Sequence, residues 1–309
     1  MLFWGTPWFA IPSLRALEEE GHEVVGVVTQ PDRPAGRGRK VTPSPVKEVA
    51  MEEEYPLLAP RRPWGDDFLR QIRFLEPDLS VVVAYGHILK PEVLAVPPLG
   101  SINVHASLLP ELRGAAPVNW AILRGYETTG VTIMRMVEAL DAGPILFQIA
   151  EDIGPEETAT ELGGRLSGLG AEALIEALAL LEAGVAEERE QDHSLATFAP
   201  KVNREMARID WNRPATELGW HLRGLDAVPG AWSNLEGEEV KLFRPKPQTS
   251  HSHESPAGTI LAADPRAGLL VACGSGALGV EEIQSPGRKR MEADDWLRGR
   301  ILPRGFRFE

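Results

Sequence analysis

The 309-residue sequence predicts an α/β protein, a doubly wound and mostly parallel sheet followed by a small β-barrel domain. Three observations carry this. Short β-branched runs alternate with helical stretches through the first half of the chain, the pattern of stacked βαβ units. After Glu190 that pattern stops, and short strands separated by Gly and Pro turns take over. Between the two lies a polar, irregular stretch that reads as a linker. The expected division is therefore 1–186, linker 187–205, and 206–309.

Taken in order, Leu2–Trp4 followed by Gly5-Thr6-Pro7 reads as strand, tight turn and helix start, and Ile11–Glu20 continues as a helix. Glu23–Thr29 (EVVGVVT) is a buried strand, which completes a first βαβ unit. A helical stretch near Phe68–Leu75 leads to a third buried strand, Leu79–Ala84. Ser101–His105 is a further strand and Val118–Arg124 a helix. Val131–Met136 and Ile145–Ala150 form a strand pair around an Asp-Ala-Gly-Pro turn. Glu157–Ala183 is a long Ala- and Leu-rich helix closed by Gly184. In the second half the strands are Val240–Phe243, Gly258–Ala262, Leu269–Cys273 and Gly279–Ile283, and Thr249–Ser255 is a loop.

Composition bounds the function. With 43% hydrophobic residues the chain can build two cores. No apolar run approaches the ~20 residues that span a bilayer, and no signal peptide precedes Gly5, so a soluble, cytoplasmic protein is expected. The single cysteine, Cys273, excludes an internal disulfide and a multi-cysteine zinc site. The net charge of −13 is unevenly spread. Residues 1–198 hold 16 basic and 30 acidic side chains (−14), whereas 199–309 hold 16 and 15 (+1). Two islands are basic. Residues 31–47 carry five basic groups against Asp32 (+4), and 285–307 carry seven against three (+4). Such islands on an acidic protein suit local contact with phosphates.

The stretch with chemical content runs from Ser101 to Leu146. Alternation along an extended chain puts Asn103 and His105 on the same side. A proline-ended turn, Ser107-Leu108-Leu109-Pro110, follows at once, and Asp141 arrives in the Asp-Ala-Gly-Pro turn. An amide can donate to a developing oxyanion, an imidazole can donate or shuttle a proton, and a carboxylate can orient and charge the imidazole. A structural polar pair at a strand end is the plain alternative. Amide, imidazole, tight turn and acid occurring as one set favour chemistry. Gly5 belongs to no G-x-G-x-x-G pattern, because Pro7 and Phe9 stand where glycines are needed, so dinucleotide binding is disfavoured. His251 and His253 lack a third metal ligand nearby.

The same residues carry a resemblance. NVHASLLPELRGAAP (Asn103–Pro117) is similar to the signature of the 10-formyltetrahydrofolate-dependent formyltransferases. QPDRPAGRGRKVTPSPVK at Gln30–Lys47, VVVAYGHILK at Val81–Lys90, GVTIM at Gly130–Met134 and ARIDW at Ala207–Trp211 extend the likeness over nearly the whole chain. One departure is the apolar run before Gly5-Thr6-Pro7, usually longer in the family than Met1–Trp4.

The resemblance implies a Rossmann-like formyltransferase fold with an OB-type C-terminal barrel, a class that commonly binds oligonucleotides. It implies 10-formyltetrahydrofolate as co-substrate, no metal, and an acceptor that is the α-amino group of methionine esterified to initiator tRNA. It maps the catalytic Asn, His and Asp onto Asn103, His105 and Asp141. It gives Ser107, Leu108, Leu109 and Pro110 to a loop that holds the folate, and Tyr85, Gly86 and His87 to the pterin region. It sends the loop of Arg33, Arg37, Arg39 and Lys40 to the tRNA acceptor stem, with Arg37 as main reader, since a guanidinium forks onto phosphate or guanine. A monomer is expected. Three rivals stand beside this reading: a formyltransferase for a small amine, a formylfolate hydrolase, and a nucleic-acid-binding module with an inactive enzyme domain.

Overall fold

The computed structural model describes residues 1–35, 40–300, 302 and 305–309. The chain forms two compact units. One comprises Met1–Pro117, Thr128–Asp152 and Gly163–Ala199, the other Val118–Glu127, Ile153–Leu162 and Pro200–Glu309.

In chain order the first part runs β1 (Leu2–Gly5), α1 (Ile11–Glu19), β2 (Gly26–Val28), β3 (Arg33–Ala35), β4 (Lys40–Thr42), α2 (Pro45–Glu52), β5 (Leu57–Leu58), α3 (Asp66–Phe74), β6 (Ser80–Val83), α4 (Pro91–Leu94), β7 (Ser101–His105), α5 (Pro117–Leu123), β8 (Thr128–Arg135), β9 (Ile145–Asp152) and α6 (Ala159–Glu182). The main sheet has the order β5-β2-β1-β6-β7-β8-β9. Its first five strands are parallel, while β8 runs antiparallel to β7 and β9 to β8. This is the doubly wound, mostly parallel arrangement expected, with β1 in the middle.

A central parallel strand is covered on both faces and must be apolar on both. Leu2, Phe3 and Trp4 meet that condition and are wholly buried. Each contributes roughly 1.5–3 kcal/mol by leaving water. The Trp4 indole N–H is satisfied by Ser80 Oγ on β6 at 3.1 Å. The strand order reverses beside β1, where the chain leaves for β2 on one side and β6 on the other. Ligands of such sheets sit beyond the carboxyl ends of strands at that reversal, which is where Gly5, Val83 and His105 end their strands.

Several elements depart from the sequence expectation. The Glu23–Thr29 strand is shorter, at Gly26–Val28. Arg33–Ala35 and Lys40–Thr42 pair as a separate antiparallel ribbon. Helix α2 was not foreseen. It begins at Pro45, whose fixed φ suits the first helical position, with Ser44 Oγ accepting from Lys47 N at 3.1 Å.

The second unit contains α7 (Ala215–Gly224), β10 (Trp232–Leu235), β11 (Glu238–Gln248), β12 (Ile260–Asp264), β13 (Gly268–Ala272), β14 (Ala277–Gln284), β15 (Met291–Glu292) and α8 (Ala293–Arg298). Its sheet is antiparallel, in the order β10-β11-β14-β13-β12, with β15 on β14. Leu218 and Leu222 of α7, Val240 and Leu242 of β11, Val271, Leu278, Ile283 and Trp296 form one core. The segment Phe306–Glu309 bridges the two sheet edges. Phe306 O accepts from Ile260 N at 2.8 Å, and Glu309 exchanges two main-chain bonds with Asn234, at 2.9 and 3.0 Å. The sheet thus curls into a half-barrel, in line with the barrel expected.

The stretch 187–199 is less loose than its polar composition suggested. Arg189 pairs with Ile145 through two main-chain bonds, 2.8 and 2.9 Å long, and Gln191 and Ala199 are buried.

Candidate active site

Strand β7 ends in the site. In the register Asn103 faces Val82 on one side and Met134 on the other, and His105 faces Thr132. Asn103 is half-buried, while His105 is only 6% exposed. Two-residue spacing puts both side chains on one face of the sheet, as the alternation predicts.

Asp141 reaches His105 from the turn between β8 and β9. Its Oδ2 lies 3.8 Å from His105 Nδ1 and accepts the Gly114 amide at 2.8 Å. At 3.8 Å the imidazole and carboxylate are near neighbours but too far apart for a hydrogen bond. The turn is tight. Asp141 adopts φ +47°, and a Cβ at Gly143 would stand 2.0 Å from the Arg135 carbonyl oxygen, so only glycine fits there. Gly114 likewise has φ +121°, with Ala199 O in the way of a Cβ.

The other imidazole nitrogen is occupied. His105 Nε2 lies 3.0 Å from the carbonyl oxygen of Leu112. A carbonyl only accepts, so Nε2 carries a proton and Nδ1 is the nitrogen left for proton exchange.

The turn Ser107–Pro110 is held from behind by Thr132, which is wholly buried. Its hydroxyl donates to Ser107 O at 2.6 Å and accepts from Leu109 N at 3.1 Å and from Gln148 Nε2 at 2.8 Å. Gln148 Nε2 also reaches Leu109 O at 3.0 Å, and Arg189 holds Gln148 Oε1. Ser107 Oγ donates to Glu111 O at 2.6 Å. Leu109 packs with Met134 and Ile145 in a small apolar cluster. The side chains of Ser107 and Leu109 are therefore spent on the fold, while Leu108 and Pro110 stay partly open.

Tyr85 follows β6, and its ring packs edge-on against Trp4. The hydroxyl is buried without a hydrogen-bond partner among the described residues, and burial pushes its pKa up to about 12. The Tyr85 carbonyl accepts from Thr6 Oγ1 at 2.9 Å and Gln30 Nε2 at 2.8 Å. Gly86 is left-handed at φ +84°, and His87 is half-buried, tilted against the Tyr85 ring.

Arg33 is exposed on β3 and Lys40 opens β4, while Arg37 and Arg39 lie outside the described residues. Much of the basic charge is already paired. Lys47 binds Asp32 at 2.7 and 2.9 Å. In the other island Arg290 binds Asp226 at 2.9 Å and also Glu282, Arg298 binds Asp295, and Arg300 binds Glu238 at 3.0 Å. Local charge was legible in the sequence, but its neutralisation across strands was not.

Among the described residues no group of three or more His, Cys, Asp or Glu side chains could hold a metal ion. Both His253 nitrogens face carbonyl oxygens, those of Ser255 at 3.1 Å and Gly276 at 2.9 Å. Cys273 is buried and its thiol pushed up to about 12 by desolvation, which removes it as a nucleophile at neutral pH.

A half-buried amide, a buried imidazole and, 3.8 Å from it, a carboxylate stand together at the carboxyl end of a doubly wound sheet. The chain belongs to the formyl transferase family. The family model described as "Formyl transferase" matches residues 1–178, and "Formyl transferase, C-terminal domain" matches residues 201–300. Within that family it is similar to the methionyl-tRNA formyltransferase of Geobacter metallireducens, 44% identical over 99% of this chain and 97% of the relative. That of Methylococcus capsulatus is 46% identical over 98% and 97%. Among solved structures, HypX from Aquifex aeolicus in complex with tetrahydrofolic acid superposes with a TM-score of 0.66 at 20% identity. That match covers 96% of this chain but 46% of HypX, and at such identity it shows a shared fold.

Proposed function

We propose that this protein transfers the formyl group of 10-formyltetrahydrofolate to the α-amino group of methionyl-initiator tRNA. The observation that carries the proposal is identity of about 45% to methionyl-tRNA formyltransferases along nearly the whole chain, joined to the His105–Asp141 pair at 3.8 Å. Residues 1–186 carry the chemistry, 187–205 connect, and 206–309 help hold the tRNA. Initiator tRNA is a cytoplasmic substrate, and the proposal places the enzyme there, as a monomer. Among the described residues no helix is long and apolar enough to cross a membrane.

The residues present fit a folate. Partly open Leu108 and Pro110 offer an apolar face to an aromatic ring. The left-handed turns at Ala84 (φ +48°) and Gly86 redirect the main chain after β6, where peptide groups beside His87 can read a pterin edge, while the Tyr85 ring anchors the turn in the core. When bound, the folate supplies an activated formyl group. The chain's own groups do the rest. The Asn103 amide donates to the carbonyl oxygen that gains charge as the amine attacks. His105, its Nε2–H held by Leu112 O, takes the proton of the attacking amine at Nδ1 and returns it to N10 of the folate as the bond between the formyl carbon and N10 breaks. Asp141, fixed by the Gly114 amide, stabilises the charged imidazole and keeps Nδ1 donating. The acceptor amine, of ordinary pKa ~7.7, is partly neutral at physiological pH and needs positioning more than activation.

Support for the tRNA contact is the basic loop of Arg33, Arg37, Arg39 and Lys40, since each phosphate neutralised gives a salt slope of roughly −0.9 in log affinity. The test is kcat/KM for methionyl-tRNA at two salt concentrations with parent, Arg37→Ala and Arg37→Lys. The expected result is a weakened, less salt-sensitive Arg37→Ala that lysine rescues poorly. Equal values for all three proteins would remove the tRNA role of Arg37.

A further inference from the structure

We infer that the segment from Gln191 to Ala199 is a positioning strap that sets the geometry between His105 and Asp141, with Gln191 as its principal positioning residue. The inference deepens the formyl-transfer reading and rests on it.

Gln191 is 6% exposed in a stretch whose neighbours Glu190 and Asp192 face solvent. Both ends of its amide are used. Nε2 donates to the carbonyl oxygens of Asp141 (3.0 Å) and Gly143 (2.8 Å), the two sides of the acidic turn. Oε1 accepts from Arg113 Nη2 (2.6 Å) and Nε (3.2 Å). Arg113 is itself 6% exposed, and its Nη2 lies 2.8 Å from His193 Nδ1, two residues further along the strap. A glutamine is the side chain for this place, because it offers two protons on one end and an acceptor on the other without charge.

The strap then reaches the histidine. Thr197 Oγ1 accepts from Leu112 N at 2.9 Å, and Thr197 O accepts from Arg113 N at 2.9 Å. Ala199 accepts from Ala116 N at 3.1 Å and donates to Arg113 O at 2.7 Å. The residues so fixed are the ones that hold the site. Leu112 O accepts from the His105 Nε2–H, and the Gly114 N–H donates to Asp141 Oδ2. Both Leu112 (φ +58°) and Asp141 (φ +47°) stand in the left-handed region that residues with a Cβ seldom adopt. Such conformations persist where surrounding contacts over-determine them, and the strap supplies contacts at both.

Gln191→Glu tests this most cleanly. The variant keeps the length of the side chain and an acceptor for Arg113, and loses the two protons given to Asp141 and Gly143. The expected result is a kcat lower by about 10- to 100-fold, the scale of a small misplacement of reacting groups, with KM for donor and acceptor within about threefold. Combined with Asp141→Asn it should be no slower than Asp141→Asn alone, because the two act as one unit. The Gly114 amide should exchange its hydrogen faster while the β7 and β8 amides stay protected. Thr197→Val, which removes the acceptor for Leu112 N, serves as a second variant at the other end and should be non-additive with His105→Ala. Parent-like kcat in Gln191→Glu, multiplying losses in the double variants, or unchanged Gly114 exchange would overturn the strap. Failure of the parent to formylate methionyl-tRNA would instead overturn the functional reading, and the exchange measurement would still decide the strap.

Discussion

His105 gives the proton on its Nε2 to the main-chain carbonyl of Leu112, 3.0 Å away. That bond decides the tautomer of the neutral ring and leaves Nδ1, on the Asp141 side, as the nitrogen that can gain and lose a proton. His105→Gln and His105→Ala should therefore be equally inactive for different reasons. Glutamine retains a donor for Leu112 O and should keep stability near that of the parent, while offering nothing at Nδ1. Asn103→Ala should cost about 10²–10³ in rate, as loss of one oxyanion donor typically does. Retention of half the parent activity by any of the three would remove the assigned role, with circular dichroism confirming the fold.

Asp141→Asn should keep the Gly114 amide bond and the shape of the turn and lose the charge beside His105. Residues acting as a unit are non-additive. The double variant with His105→Ala should thus be little slower than His105→Ala alone. Losses that multiply would assign Asp141 a separate task, such as binding the folate.

Thr132→Val should loosen the Ser107–Pro110 turn. It removes a buried hydroxyl that gives one bond to Ser107 O and receives two, from Leu109 N and Gln148 Nε2. Unsatisfied buried partners cost about 1–3 kcal/mol. The expected outcome is a lower melting temperature and a raised KM for the formyl donor, with KM for tRNA unchanged. An unchanged donor KM would separate this turn from folate binding.

Sequence pattern alone pointed to Asn103, His105 and Asp141 as candidates but not to the residues that hold them. Asn103 and His105 stood out as polar residues alternating at the end of an apolar run, and Asp141 was marked by its Gly-Pro turn. Thr132 carried a signal that went unread, a lone hydroxyl within the buried run Gly130–Met134. Gln191 carried none, since a buried glutamine in a polar stretch looks like an exposed one until Asp141, Gly143 and Arg113 are folded around it. The pairing of Arg33–Ala35 with Lys40–Thr42 was missed because Arg-Pro-Ala has little strand character. Helix α7 has a sequence pattern weakened by Gly219 and Gly224. The pairing of Lys47 with Asp32, 15 residues away, gives no local sign in the sequence.

His221 gives the fold an acid limit. It is 7% exposed, and burial first, then the Arg213 charge, lowers its pKa to about 4, against a bond to the Ala207 backbone that raises it. Its Nε2 has no hydrogen-bond partner among the described residues. With the folded pKa below the unfolded value of about 6.5, the unfolded chain binds more protons between the two, so stability rises with pH there. The neutral ring is without penalty above about pH 6.5, and stability falls as pH drops towards 4, by on the order of 3 kcal/mol for this group. His221→Asn, which keeps a donor near Ala207 and cannot charge, should lose less stability over that window than the parent in denaturant titrations. Parallel losses in the two proteins would clear His221 of the effect.

The central claim is the acceptor. The direct measurement supplies 10-formyltetrahydrofolate with methionyl-initiator tRNA, free methionine, or small amines, and compares kcat/KM with release of formate into water. The account expects N-formylmethionyl-tRNA as the product, with kcat/KM for the tRNA exceeding that for free methionine by at least about a thousandfold, the weight of several phosphate contacts. Equal use of free methionine or a small amine, or formate as the main product, would contradict it.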